Sequence, residues 1–576
     1  MKPFSFSLLT AVSACALAFS PAIVRAQFTY PGCDDLKAAD FKATELFNRH
    51  GTSALAGDET IEEPVQFDFH TVKAAGKVSQ VDIYFVQRTG GVKFYDGAAK
   101  KVSDVGHINV LGAGDNGLMG IALNPDFDKN KWIYLWYSPN QKIGQNRILR
   151  LVRITVKPDN TLDMASEKKL IEILASKSDS WHSGGPMQFD AYGDMWLTIG
   201  NNSPDLDTAA CSAGNNVLSK TDSTTSGEWG PSNTANMRGG ILRIHPDSSE
   251  KGYRIPSGNF GEYWAGEFDK QGKTALAAEY RNPVKVLPEI YVKGNRSNYS
   301  FGIHPVKRWL AWGEVNYSSS NDEFNLVSHP VFAGYPYFHN NNIPTCNHGK
   351  DVNAPSNDSP FNNGVSVLPP ATPGMINNLV NVAISGPIYV FDKSLDSPIK
   401  FPPHLHLSWF TMSFQSNQAH IHTLDTVAVK VAKTQRVDNG ILSALKQRSA
   451  VEAKYGPDGA LYVLNYDGFY TTINPGITRI DYVGNCHVAV AARPVVAHAA
   501  APDARVTASA LEVPGAGPHI LSLYDAGGRL RFRYASAGAA NYAFADLRAR
   551  HGLPRGLYHA RVETPQGAVE RMLPLL

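Results

Sequence analysis

The chain has 576 residues and a mass of 62.7 kDa, more than one ordinary compact domain needs. Its 54 Lys and Arg against 52 Asp and Glu leave a net charge of +2, which excludes the strong positive excess that a nucleic-acid partner demands. With 18% charged and 43% hydrophobic residues it is neither disordered nor membrane-embedded. Forty-nine Gly, 36 Pro and 10% aromatics suit many short strands joined by tight turns, not long amphipathic helices.

Met1-Lys2, the apolar stretch from Phe4 to Ile23 and Val24-Arg25-Ala26 have the order of a signal peptide cleaved after Ala26. Export to the cell surface or beyond is therefore expected. Val12-Ser13-Ala14-Cys15 resembles a lipoprotein processing box and keeps that alternative open. No later stretch reaches the ~20 apolar residues that span a bilayer. An N-terminal extension occupies 27–64. Cys33, Cys211, Cys346 and Cys486 permit two disulfides in any of three connectivities, and they lack the C-x-x-C spacing of a zinc ribbon or redox site.

From 65 to 486 the chain reads as strand, turn, strand. Asp82 to Tyr95 is two alternating runs around Gly90-Gly91, the pattern of a hairpin. An apolar strand, a turn rich in Pro, Asp and Gly, and an aromatic strand then recur. Copies begin at Ile121, Met187, Phe301 and Ala453. The copies are irregularly spaced, so four-stranded sheets with long insertions are predicted rather than a solenoid, and a β-propeller accommodates them. An Ala/Pro-rich linker follows at 487–508. Beyond it no lysine occurs, while nine arginines fall between Ala501 and Leu576. Strand patterns at Ile520–Arg533, Leu553–Val562 and Ala568–Leu573 predict a small C-terminal β-sandwich over 509–576.

Several of these phrases carry a family resemblance. Gly117-Leu-Met-Gly-Ile-Ala-Leu-Asn-Pro-Asp-Phe127 is similar to the GLLGIAFHPDF signature of the soluble glucose/sorbosone dehydrogenases. Trp181-His-Ser-Gly-Gly185 with Asp194–Gly200 resembles their H-x-G-G strand and turn. Met237–Asp247, Pro288–Asn298, Asn321–Val327 and Tyr455–Val463 continue the series in order. The C-terminal segment resembles type IX secretion sorting domains through Asp525–Arg529 and Leu553–Tyr558, which implies the secretion machinery as a partner.

The resemblance implies an all-β chain: a six-bladed β-propeller followed by the C-terminal sandwich. It also implies pyrroloquinoline quinone (PQQ) and Ca²⁺ as cofactors, and oxidation of an aldose at its anomeric carbon. His182 falls at the general base, where an imidazole titrating near working pH suits the task. Arg296 falls at the cation beside the quinone oxygens. Asp115 and Ser297 fall at cofactor-positioning places. The chain departs from the family at Asn201, where a carboxylate pairs with the histidine, and at Ser297 and Asn298. It also departs late in the propeller, where a lysine and an arginine pair hold the cofactor's carboxylates. No cation stands at Ser408–Phe414 or Ser449–Val451, and Lys446 and Arg448 are out of register.

Calcium would rest partly on carbonyls in Glu314–Ser318, with Asp322 and Glu323 as a second, carboxylate site; Asp205 and Asp207 form a similar loop. His404-Leu-His406 and His420-Ile-His422 flank a polar turn. Pairing Leu407 with Ala419 would gather all four imidazoles on one face, able to bind a transition metal or to line a channel. No P-loop, G-x-G-x-x-G, H-E-x-x-H or G-x-S-x-G motif occurs, which leaves nucleotide cofactors, zincin and α/β-hydrolase chemistry without support. Two functions are therefore weighed: a quinone-dependent sugar dehydrogenase, and a non-catalytic propeller that binds glycans with a degenerate cofactor site.

Overall fold

A computed structural model describes residues 36–485, except 53–54, 75–76, 178–180, 203–227, 317–321, 346–348 and 470. It also describes 504–575, except 508, 514–518, 526–529, 537–538 and 565–566. Cys33, Cys211, Cys346 and Cys486, Asp205, Asp207 and residues 1–26, read as a signal peptide, lie outside the described residues.

The first unit ends at Val488 and is nearly all-β, with six sheets of four or more strands among the described residues. The first sheet runs Pro64–Ala74, Lys77–Gln87, Gly91–Asp96, Lys101–His107. The second has Leu118–Leu123 and Trp132–Tyr137 as its first two strands, the third Met187–Phe189 and Met195–Ile199. The fourth begins with Phe301–Ile303 and Leu310–Glu314, the fifth with Ala383–Tyr389 and Ser408–Ser413. The sixth begins with Ala450–Tyr455 and Leu461–Asn465, followed by Gly476–Tyr482. Its next strand comes from the other end of the chain: Phe41–Asn48 pairs antiparallel with Gly476–Tyr482. The segment read as an N-terminal extension thus closes the last sheet.

Second strands read as continuous apolar runs because both faces are covered. Trp136, Trp196, Trp312 and Trp409, one on each second strand of sheets two to five, are all fully buried. Burial of such a side chain contributes on the order of 2–3 kcal/mol.

Gln66, on the first strand of sheet one and only 1% exposed, ties four sheets together. Its Oε1 accepts from Ile121 N (2.7 Å) and Met187 N (3.1 Å). Its Nε2 donates to Met187 O (2.9 Å) and Glu452 Oε1 (2.9 Å). This layer divides the hollow along the axis. Val65, Met119 and Val451 line a cavity at the end where the first strands begin, whereas Asp68, Leu123 and Ala453 line a second hollow at the other end.

The second unit, Ala489–Leu576, has a three-stranded and a four-stranded sheet. Leu511 and Val513 of one share a core with Leu521, Leu523, Ala560 and Val562 of the other. Much of the Asp525–Arg529 turn falls outside the described residues.

Candidate active site

Three loops at the end where the first strands begin converge on His182. One carries Trp181–Gly185 into the strand Met187–Phe189, one follows Met195–Ile199, and one follows Ile290–Lys293. They are knitted through the backbone. Asn201 N donates to Arg296 O (2.7 Å), and Asn202 N donates to His182 O (3.3 Å). A side chain at Gly200 would bring a Cβ within 2.3 Å of His182 O, so only glycine lets the loops approach this closely.

His182 itself holds φ +61°, a left-handed conformation that a non-glycine residue keeps only when its surroundings impose it. Asp115 imposes it: its Oδ2 accepts from His182 N at 2.9 Å. His182 Nδ1 lies 2.8 Å from Asn201 Oδ1, and Asn201 Nδ2 donates to the Tyr335 hydroxyl (3.4 Å). In this orientation the amide oxygen faces the ring. An amide oxygen only accepts, so the proton sits on Nδ1 and the lone pair on Nε2. His182, Asn201 and Asp115 are therefore brought together. Asn201 orients the imidazole without supplying a charge to stabilise imidazolium. Asn201→Asp is expected to move the acid limb of the kcat/KM pH profile up by about one unit, because an adjacent carboxylate favours the protonated ring; an unmoved limb would uncouple the two residues.

The cavity beside His182 has a volume of about 420 Å³. Five aromatic residues line it, Trp181, Tyr299, Phe414, Tyr466 and Phe469. Phe414 lies 6.0 Å from the Tyr466 ring and 5.8 Å from the Phe469 ring, and Phe469 is 55% exposed, which marks it as the lip. Val65, Met119, Val382, Ile384 and Val451 add aliphatic wall. Among the described lining residues Arg88 is the one Lys or Arg. Its guanidinium is bonded to Glu63 (2.7 Å) and to the carbonyls of Gly112 and Gly114 (2.8 and 3.0 Å). Nothing in local sequence pattern marks Arg88 or the aromatic wall, since the members come from separate parts of the chain.

Arg296 is buried and lies behind this wall: its Nη1 donates to Val315 O (2.9 Å) and Asn316 O (3.2 Å). Ser297 lines the cavity, and its N–H donates to Glu314 Oε1 (2.8 Å). Where a lysine and arginines would hold carboxylates, Phe414 and Val451 line the cavity. Arg448 is bonded to Glu45 (2.7 Å) and Asp467 (3.2 Å), and Lys446 is exposed. Among the described lining residues a tricarboxylate finds one guanidinium, already paired, and the Asp115 carboxylate. This donor set does not fit PQQ.

Part of the expected calcium segment, 317–321, lies outside the described residues. Among the described residues no group of three or more His, Cys, Asp or Glu side chains is arranged to hold a metal ion. The acids of the expected calcium site pin backbone instead. Glu314 accepts from the backbone at Arg296 and Ser297. Asp322 accepts from Asn316 N (3.1 Å) and Ala383 N (3.2 Å), and Glu323 accepts from Asn340 N. Burial, reinforced by Glu323 directly across the strand pair, pushes the Glu314 carboxyl up to about 8. Burial likewise pushes Asp322 and Glu323 up to about 7. A carboxyl that keeps its proton in the fold gives stability that is full below its unfolded value near 4.5. That stability is lost as pH rises through about 8, because the unfolded chain has already released the proton. Glu314→Gln, which keeps the acceptor, is expected to flatten this loss; urea midpoints measured from pH 5 to 9 check it, and parallel pH curves would refute it.

The four-histidine face does not form. Pro402-Pro403 starts a 3₁₀ turn over Pro403–Leu405, so His404 and His406 precede the strand instead of lying in it. The register pairs Trp409 with His422 and Thr411 with His420, not Leu407 with Ala419. His404 is exposed, and His406 Nδ1 accepts from Phe391 N (3.1 Å). His422 is held between Thr411 (2.8 Å) and Thr434 (3.0 Å), with burial pushing it down to about 3. Both its nitrogens are spent on hydroxyls, and His420 keeps a ring nitrogen, Nδ1, without a partner among the described residues.

Residues 77–250 match the glucose/sorbosone dehydrogenase family. An uncharacterized protein of Synechocystis is 22% identical over 237 residues, 41% of this chain and 47% of that protein, so the match spans about half of that curated relative. A solved structure from Thermus thermophilus, described as a putative oxidoreductase (glucose dehydrogenase), is 16% identical, with TM-score 0.50, covering 76% of this chain and 99% of that one. The PQQ-bound form of aldose sugar dehydrogenase from Streptomyces coelicolor is 14% identical, with TM-score 0.47, covering 77% and 98%. Over residues 77–250 the chain is thus similar to the glucose/sorbosone dehydrogenases, and its fold is nearly all-β and propeller-like.

Proposed function

We propose that the chain is a sugar dehydrogenase in which His182 takes the proton of an aldose hydroxyl bound in the cavity. The observation that carries this is the Asn201 contact to Nδ1 (2.8 Å), which leaves the Nε2 lone pair as the base. As the O–H proton passes to Nε2, the carbinol carbon gives up a hydride to a two-electron acceptor and becomes a carbonyl. Asp115 supports the reaction by holding the strained His182 backbone. Arg296 acts as a positioning residue, because its carbonyl receives Asn201 N (2.7 Å).

The proposal includes export directed by residues 1–26 and a sorting or anchoring role for 509–576 through secretion machinery. Aldose-dependent dye reduction by the purified chain, across a panel of sugars and acceptors, tests the activity. A second reading, a glycan-binding propeller without turnover, is favoured by the neutral Asn201. Saturable glycan binding with no reduction by any sugar would put that reading in place of the first.

A further inference from the structure

We infer that the cavity beside His182 takes an uncharged, planar quinone of two or three rings in place of a tricarboxylate cofactor. Three observations converge on this. Five aromatic residues and six aliphatic ones wall a space of about 420 Å³, which favours a flat apolar body. It offers no spare positive charge among the described lining residues: Arg88 is paired with Glu63 outside the lining, and Asp115 is the acid facing in. Burying a carboxylate there would cost several kcal/mol without a counter-ion. Phe414 and Val451 occupy the wall from separate sheets, so apolar lining is not one accidental substitution.

This deepens the dehydrogenase reading and rests on it for the ligand's role. The carbinol C–H bond breaks and its hydride adds to the quinone. The O–H proton passes through His182 to the reduced ring, so a carbonyl compound and a hydroquinone result. Binding is separable from turnover, and the test uses that.

The full chain is titrated by calorimetry with 2-methyl-1,4-naphthoquinone and, separately, with PQQ. Saturable naphthoquinone binding and no saturable PQQ heat are expected. Phe414→Lys and Val451→Arg, made singly and together, are expected to tighten PQQ at least about tenfold and to weaken naphthoquinone; retained circular dichroism qualifies each variant. If the wild-type chain binds PQQ as tightly as naphthoquinone, or binds neither, the inference is overturned. If naphthoquinone binds but no sugar reduces it, the dehydrogenase reading fails while this one stands.

Discussion

His182→Asn is expected to lower turnover by about a hundred- to ten-thousand-fold, the usual contribution of a positioned general base. Asparagine tolerates the left-handed φ of this position, so the loop keeps its shape and the backbone bond to Asp115. KM should therefore move little while kcat collapses, the pattern of an interaction made in the transition state alone. Steady-state rates at several pH values check this. The wild-type pH limb assigned to the imidazole should vanish with it, and a variant that keeps kcat within about threefold would remove His182 from the chemistry.

Gln66→Leu is expected to destabilise the first unit by about 4 kcal/mol, because it strands several buried groups at once. The N–H groups of Ile121 and Met187 lose their acceptor, and Met187 O and Glu452 lose their donor. All nine tryptophans precede Val488, so their fluorescence in urea reports this unit alone. Gln66→Glu should fall between wild type and the leucine variant, since it keeps the acceptor but sets a second carboxyl beside buried Glu452. A leucine variant with an unchanged midpoint would show that the four-sheet tie contributes nothing.

Much of the architecture was legible because it repeats locally. The phrases beginning at Ile121, Met187, Phe301 and Ala453 each cover the first strand of a sheet or part of it, with its turn, and Trp136, Trp196 and Trp312 of the first three fall on the second strands. His182, Asn201 and Asp115 were legible through the ordered family motifs. What failed depended on register or on distance along the chain. The histidine pairs were placed by a strand alternation that Pro402-Pro403 interrupts. The closing strand Phe41–Asn48 meets its partner more than 400 residues away, and no periodicity announces such a pairing. The cavity wall is assembled from side chains that share no single segment, so its apolar character emerges only in three dimensions.

That closing strand also sets an order of events. As synthesis proceeds, the first five sheets are complete once residue 436 has emerged, yet the edge of Phe41–Asn48 away from the short strand Ala56–Gly57 has no mate until Gly476–Tyr482 appears. Until then the newborn chain carries one of its earliest strands with an unsatisfied edge, the template on which neighbouring copies stick. Late assembly is the cost of a clasp joining the two ends of the ring, and a helper that masks residues 41–48 would be needed most during this interval.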